Sequence, residues 1–438
     1  LRPSEADAGG VISRATGGGI PAATGGGIPA DAGGVISSAT KATEYRGGGG
    51  IPAATAAIRA RQARAAEWMT RNGLYAAVLD DFENQRSNSV RWLSGHPMDA
   101  MLFLFASGKT VLVPWDVNIA HERGVVDSII PYTEFKRSFK EAVTGVLREN
   151  GVEAAVGGPR ARRKVEFPAR TPHLRFLELM EDLPGAEILV RKEGFESFVA
   201  RARTVKDGME IAATERAAGI TNTLIDAIAD RVSQSGGRTE IREIDLAQLI
   251  EREALSLGAE GIAFETLGAG PGRSWAIHPF PSCSAGPFGG EGLSILDFGV
   301  KVDGYTSDVT LSFAVGRLSS EQDRMVGLVE EAYRAAVDAV KAGVSPQEPA
   351  RKAEQVFSAA GWNMPHALGH GIGLDTHEAP LLRSEGDNPN PALLPGMIFT
   401  IEPGLYHPRH GGVRWENDVL ITESSVRILT RSRIIRLP

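Results

Sequence analysis

Four carboxylates and one imidazole in the second half of this sequence stand where a strand or a turn does not by itself need them. The segment ILDFGVKVDGYTSDVTLSF, residues 295–313, holds Asp297, Asp303 and Asp308 within strand-forming sequence. Asp303-Gly304 between β-prone residues is a two-residue hairpin turn, so Val302 should pair with Tyr305, Gly299 with Asp308 and Asp297 with Thr310. Side chains alternate along a strand, and this register sends Asp297 and Asp308 out of one face as diagonal neighbours. Asp303 is accounted for by the turn. The apolar run LSIL leading into Asp297 implies burial, and two buried acids need a cation.

The remaining donors follow from the same reasoning. MIFTIEPGLY runs an apolar strand into Glu402, and GGVRWENDVLIT alternates Arg414, Glu416 and Asp418 against Val413, Trp415 and Asn417. Arg414 and Glu416 therefore share a face. In PHALGHGIGLDTHEAP, His370 stands between Gly369 and Gly371, which lack Cβ atoms and let backbone approach a site closely. Asp297, Asp308, His370, Glu402 and Glu416 together form an oxygen-rich set able to hold two divalent cations bridged by carboxylates.

The elements that must carry these residues can be read along the chain. From residue 56 an amphipathic helix runs to Asn72-Gly73, followed by strands at 75–79, 100–106 and 110–114 and helices near 134–150 and 174–182. The basic segment GGPRARRKVEF, 157–167, reads as a solvated loop. One long helical period over 198–232 opens a second domain. It is followed by helices at 320–342, capped by Ser319 or Ser320, and at 346–360, with strands at 293–300, 305–313, 396–402 and 412–422. The expected domains are a Gly-rich tail at 1–55, an α/β domain at 56–190 and a catalytic domain at 191–438. The tail repeats DAGGVIS and GGGIPAAT and has too few large apolar residues for a core.

Composition narrows the function. The 438 residues are 42% hydrophobic and 23% charged, and the net charge of −7 argues against nucleic acid as partner. The apolar runs are too short to span a bilayer, and no basic-then-apolar segment opens the sequence. The single cysteine, Cys283, fits a reducing compartment. A cytoplasmic enzyme is the expectation.

The order Asp297, Asp308, His370, Glu402, Glu416, with GHGIGL…HE.P, EPG and VR.E.D around it, resembles the pita-bread metallopeptidase family of methionine aminopeptidase, aminopeptidase P, prolidase and creatinase. The match covers about 198–438. Residues 56–190, including SNSVRWLSGHP, look like the amino-terminal domain of the creatinase, prolidase and aminopeptidase P branch. The short interval from Glu402 to Glu416 is most similar to prolidases. The implied fold is α+β, a carboxy-terminal pita-bread domain with a smaller creatinase-like α/β domain before it. AIHPF departs from the family's more usual Pro-His pattern. DVTLSF replaces the common D.TRT, with Thr310 kept.

The resemblance further implies roles. The five residues would ligate two divalent ions, Mn²⁺ or Co²⁺ first, Zn²⁺ or Fe²⁺ next. Glu402 would also carry the proton, and His377 and His278 would act on the reacting amide. His366 and Arg414 would orient substrate, and His407 and His410 would be surface residues. The expected activity is hydrolysis of Xaa-Pro bonds in dipeptides or short peptides by a metal-bridged hydroxide, in a homodimer with no nucleic-acid or membrane partner. The alternatives are a metal-dependent lyase or hydrolase of a small non-peptide substrate, and a non-catalytic binding protein.

Overall fold

Strand-forming and helical segments alternate through the first half of the chain. They give α1 (Pro52–Arg71), β1 (Ala76–Asp81), α2 (Asn88–Ser94), β2 (Ala100–Phe105), β3 (Thr110–Pro114), α3 (Val117–Arg123), β4 (Ser128–Ile129), α4 (Phe139–Glu149), β5 (Arg163–Phe167), α5 (His173–Asp182), β6 (Ala186–Val190) and α6 (Phe195–Arg203). The computed structural model describes residues 52–83, 85–152, 162–237, 239–386 and 390–438. The tail expected at 1–55 lies outside these, apart from its last four residues, which begin α1.

The six strands form one sheet, ordered β4-β3-β2-β1-β5-β6. All six residues of AMLFLF in β2 are buried because helices cover both faces. Met101 and Phe103 join Ala76 and Val78 against Val143 and Leu147 of α4. Leu102 and Leu104 turn the other way, toward Met69 of α1 and Phe195 and Val199 of α6.

Three expectations are corrected here. The basic segment is not all loop: in its described part RKVEF forms β5, with Arg163 and Lys164 exposed and Val165 to Phe167 buried. The helix expected at 134–150 begins as a 3₁₀ turn, Tyr132–Phe135. It breaks at Lys136 and Arg137, both at positive φ, and restarts after Ser138, whose Oγ accepts from Glu141 N. The single helix expected over 198–232 is two, α6 and α7 (Gly208–Gln234). Asp207 caps α7, accepting from Met209 N and Glu210 N, while Glu210 returns to Asp207 N, so the chain must leave helical geometry between them.

The second half continues with α8 (Glu243–Ser256), β7 (Gly261–Ile262), β8 (Leu267–Ala269), β9 (Gly292–Phe298), β10 (Val300–Val302), β11 (Tyr305–Thr306), β12 (Val309–Val315), α9 (Ser320–Ala339) and α10 (Gln347–Ala359). It closes with β13 (Gly369–Gly371), β14 (Glu378–Leu382), β15 (Ile398–Ile401), β16 (Gly404–His407), β17 (Gly411–Arg414), β18 (Asn417–Ile421), β19 (Val426–Ile428) and β20 (Ile434–Leu437). One sheet runs β20-β12-β9-β8 and another β14-β13-β15-β18-β19. Helices α7 and α8 back the first through Leu296, Phe298, Leu311 and Phe313. Helices α9 and α10 back the second through Phe399, Ile401 and Val419. The apolar faces are thus turned outward to helices, and the opposite faces, bearing Asp297 and Thr400, meet at the site. No described helix is long and apolar enough to cross a membrane.

Candidate active site

The hairpin sets the site. Asp303 (φ 50°) and Gly304 (φ 87°) both take positive φ, as a type I′ turn requires. Val302 pairs with Tyr305 and, further out, Asp297 with Thr310. One register runs through both ladders and puts Gly299 opposite Asp308, where the ladder is interrupted between them. A Cβ on Gly299 would stand 2.0 Å from Ser307 O, so no other residue fits. In the gap, Asp308 N donates to the Asp418 carboxylate, 3.2 Å from each oxygen.

Asp308, His370 and Glu416, all buried, each offer a donor atom within 4.8 Å of the others. Asp297 and Glu402 fall outside that group. Glu402 Oε1 stands 3.5 Å from His370 Nε2, and Asp308 Oδ2 stands 3.7 Å from it. Asp297 Oδ2 accepts from Arg414 Nη2 at 2.5 Å, while its Oδ1 is buried with no hydrogen bond among the described residues. Glu416 Oε2 accepts from Thr310 Oγ1 at 2.6 Å, and His370 N donates to Thr400 Oγ1 at 3.2 Å.

Arg414 is turned inward. Its Nε donates to Thr310 Oγ1 at 2.8 Å and its Nη1 to Tyr406 Oη at 2.7 Å, alongside the bond to Asp297. Its guanidinium therefore braces the site from inside, and Arg414 also lines the cavity where a substrate contact is expected of it. Tyr406 Oη lies 3.2 Å from His366 Nε2, whose Nδ1 donates to Ala367 O at 2.8 Å; that bond leaves Nε2 as the acceptor for the phenol. Tyr406 and Asp418 had no role in the sequence reading. Tyr406 lies four residues beyond Glu402, and Asp418 alternates with Arg414 and Glu416, a pattern that pointed to it.

A cavity of about 760 Å³ opens on these groups. His278 and His377 both line it, and the His377 ring lies 4.1 Å from the His370 ring. Phe264, Leu267, Ile277 and Leu381 supply apolar wall. His407 and His410 stack at 4.6 Å on the β16–β17 hairpin, outside this lining.

Charge in this site is unbalanced. Burial first, then Glu416, Asp297 and other acids, pushes Asp308 well above the usual carboxylate range, and Glu416 is raised for the same reasons. Burial raises Asp297 against the pull of Arg414, and pushes Glu402 up to about 8. Burial also lowers His370 to about 4, leaving it neutral and able to donate a lone pair. One guanidinium against four acids, an unpartnered Asp297 oxygen and a neutral imidazole fit divalent cations with oxygen and nitrogen ligands.

Comparison with known proteins bears on the family and the fold. Residues 212–423 match the model of metallopeptidase family M24, and residues 61–205 match the creatinase/prolidase N-terminal domain. An Xaa-Pro dipeptidase of Pyrococcus horikoshii is 27% identical over 370 residues, 83% of this chain and 95% of the relative. A putative dipeptidase of Bacillus subtilis is 32% identical over 56% of this chain; the match spans 65% of that relative's length. The crystal structure of the Pyrococcus horikoshii prolidase superposes with a TM-score of 0.72 at 24% identity, covering 85% of this chain and 99% of that one. An X-Pro aminopeptidase structure from Thermotoga maritima gives 0.73 at 24% identity over 86% and 99%. A creatinase/prolidase-type domain over 61–205 followed by the metallopeptidase match over 212–423 makes this chain a member of metallopeptidase family M24.

Proposed function

We infer that the protein is a dinuclear metal-dependent peptidase that hydrolyses Xaa-Pro bonds in dipeptides or short peptides. The observation that carries this is the buried group of Asp308, His370 and Glu416 within 4.8 Å, flanked by Glu402 and by the unpartnered Asp297 oxygen. These five residues would hold the cations, Mn²⁺ or Co²⁺ first and Zn²⁺ or Fe²⁺ next. When bound, such a pair makes hydroxide available near neutral pH and polarises the scissile carbonyl.

The chain's own residues do the rest. Glu402, ionised once cations neutralise the site, would accept the proton of the attacking water, and burial raises its affinity for that proton. His377 and His278 face the cavity, where an N–H can steady charge growing on the carbonyl oxygen and where they would relay the proton taken up by Glu402 to the proline nitrogen as the C–N bond breaks. His366, held by Ala367 O and Tyr406, presents a fixed imidazole to substrate. Arg414 favours the ionised form of Asp297 against the burial that raises it, holds Tyr406 in place and would help orient substrate.

The branch it resembles supports a homodimer, and the single thiol supports a cytoplasmic setting. The test is turnover of Xaa-Pro dipeptides and of longer Xaa-Pro peptides across a panel of divalent metals. Hydrolysis of either class is expected. No turnover of both under every metal would sink the reading in favour of a non-peptide substrate.

A further inference from the structure

The segment joining α6 to α7 sends two cations toward the loop that carries His377, and the chemistry above does not use them. The side chains of Arg203 and Lys206 are 7% and 1% exposed. Both meet Glu378, the residue after His377. Arg203 Nη2 donates to Glu378 Oε1 and, at 2.6 Å, to Asp375 Oδ2; Lys206 Nζ stands 3.3 Å from Glu378 Oε2. Glu378 Oε1 also accepts from Asp375 N at 3.0 Å, which closes the loop on itself. Gly373 makes room for this carboxylate, since a Cβ there would stand 2.7 Å from Glu378 Oε1.

Two further anchors come from elsewhere. Asn88, the first residue of α2, donates to Asp375 Oδ1 at 2.6 Å and to Leu374 O at 2.9 Å. Thr306 N, beyond the hairpin turn, donates to Gly373 O at 2.8 Å. The loop between β13 and β14 is thus gripped on its outer side, and His377 lies against His370 on its inner side.

Stability alone does not call for such an arrangement. Buried ions repay their desolvation poorly, and apolar residues of the same volume hold two segments together as well or better. What ions add is a fixed position, because a buried carboxylate with three donors has one place to go.

We propose that Arg203 and Lys206 are positioning residues for His377, acting through the Glu378 carboxylate, so that the junction between the two halves of the chain sets the imidazole at the cavity. The activity arm of the test rests on the peptidase reading; the structural arm does not.

The experiment is a double-mutant cycle in the full chain loaded with Mn²⁺. Arg203→Met should lower kcat on an Xaa-Pro dipeptide by about 10- to 100-fold, with KM moving less than about threefold. In a His377→Ala background the same change should lower kcat by less than about twofold, because the group it positions is gone. Arg203→Lys, which keeps the charge, should recover part of the loss. Backbone hydrogen exchange over 372–378 in the metal-free protein should quicken in Arg203→Met. Equal losses in both backgrounds, or unchanged exchange in the loop, would overturn the proposal. If Arg203→Met does not fold, Lys206→Gln, which leaves the Arg203 pairing intact, goes through the same cycle under the same criteria. A wild-type protein inactive on every Xaa-Pro substrate would sink the peptidase reading alone, and loop exchange would then decide the clamp.

Discussion

Arg414 and Asp297 are joined at 2.5 Å with the arginine side chain 2% exposed and the aspartate 13%. The bond uses one aspartate oxygen and leaves the other without a partner among the described residues. Asp297 is thereby oriented: one oxygen is fixed to the frame, which leaves the second available to a ligand. The remaining guanidinium nitrogens reach Thr310 and Tyr406, so one residue ties together the β9–β12 ladder and the β16–β17 hairpin.

That geometry makes Arg414→Lys a severe change. A lysine ammonium is a point charge and cannot reach three acceptors set in a planar fork. We expect kcat/KM to fall and the apparent Kd for metal to rise, each by about 10- to 100-fold. Metal titration by calorimetry with parallel kinetics checks both. Wild-type affinity and turnover in the lysine variant would contradict the bracing role.

Asp308→Asn separates metal binding from fold stability. Burial first, and then four neighbouring acids, push the Asp308 carboxyl well above the usual range, so removing its ionisable group relieves both costs in the metal-free protein. The metal-free variant should match or exceed the wild type by about 1 kcal/mol, a shift of a few degrees in Tm. Added Mn²⁺ should raise the wild-type Tm and leave the variant's unchanged. A variant that still gains stability from Mn²⁺, or that turns over at the wild-type rate, would remove Asp308 from the ligand set.

The hairpin and the spacing of the acids were legible because both are local. Asp303-Gly304 dictates its own turn, and alternation carries the consequence to Asp297 and Asp308. The capping box from Asp207 to Glu210 was equally local, and its Asp-Gly-Met-Glu spacing could have split the 198–232 helix in advance. Arg414 and Glu416 do share a face, since both reach Thr310, but GGVRWENDVLIT is two strands pairing with different partners. Nothing in that stretch says that β17 joins β16 while β18 joins β15. The inward turn of Arg414 was hidden for the same reason, because Tyr406 and Thr310 reach it only through tertiary pairing.

Tyr406→Phe probes one such contact. Removing the hydroxyl leaves His366 Nε2 without its phenol partner and leaves Arg414 Nη1, among the described residues, with Ile277 O at 3.4 Å. Unfolding free energy should drop by about 1–3 kcal/mol, the usual range for stranding buried polar groups. Because His366 loses its anchor, KM for an Xaa-Pro dipeptide should rise more than kcat falls. Denaturant melts and steady-state kinetics give the two numbers, and a variant identical to wild type in both would show the phenol to be passive.

His96 should make the amino-terminal half acid-sensitive. It lies between α2 and β2, is fully buried, and neither ring nitrogen has a hydrogen-bond partner in the described residues. Burial lowers it to about 4, outweighing the nearby Asp116 and Asp99, which raise it. A group with a folded pKa below its unfolded value of 6.5 contributes stability that is present above pH 6.5 and is lost as pH falls through 4. The full loss is on the order of 3 kcal/mol, from roughly 2.5 pH units of separation. His96→Phe has no proton to take up, so its stability should be flatter between pH 6.5 and 4, with the two proteins diverging as acid is added. Urea unfolding at several pH values, in excess chelator so that the acid cluster contributes equally to both, measures the difference. Parallel curves for wild type and variant across that window would place the acid sensitivity elsewhere.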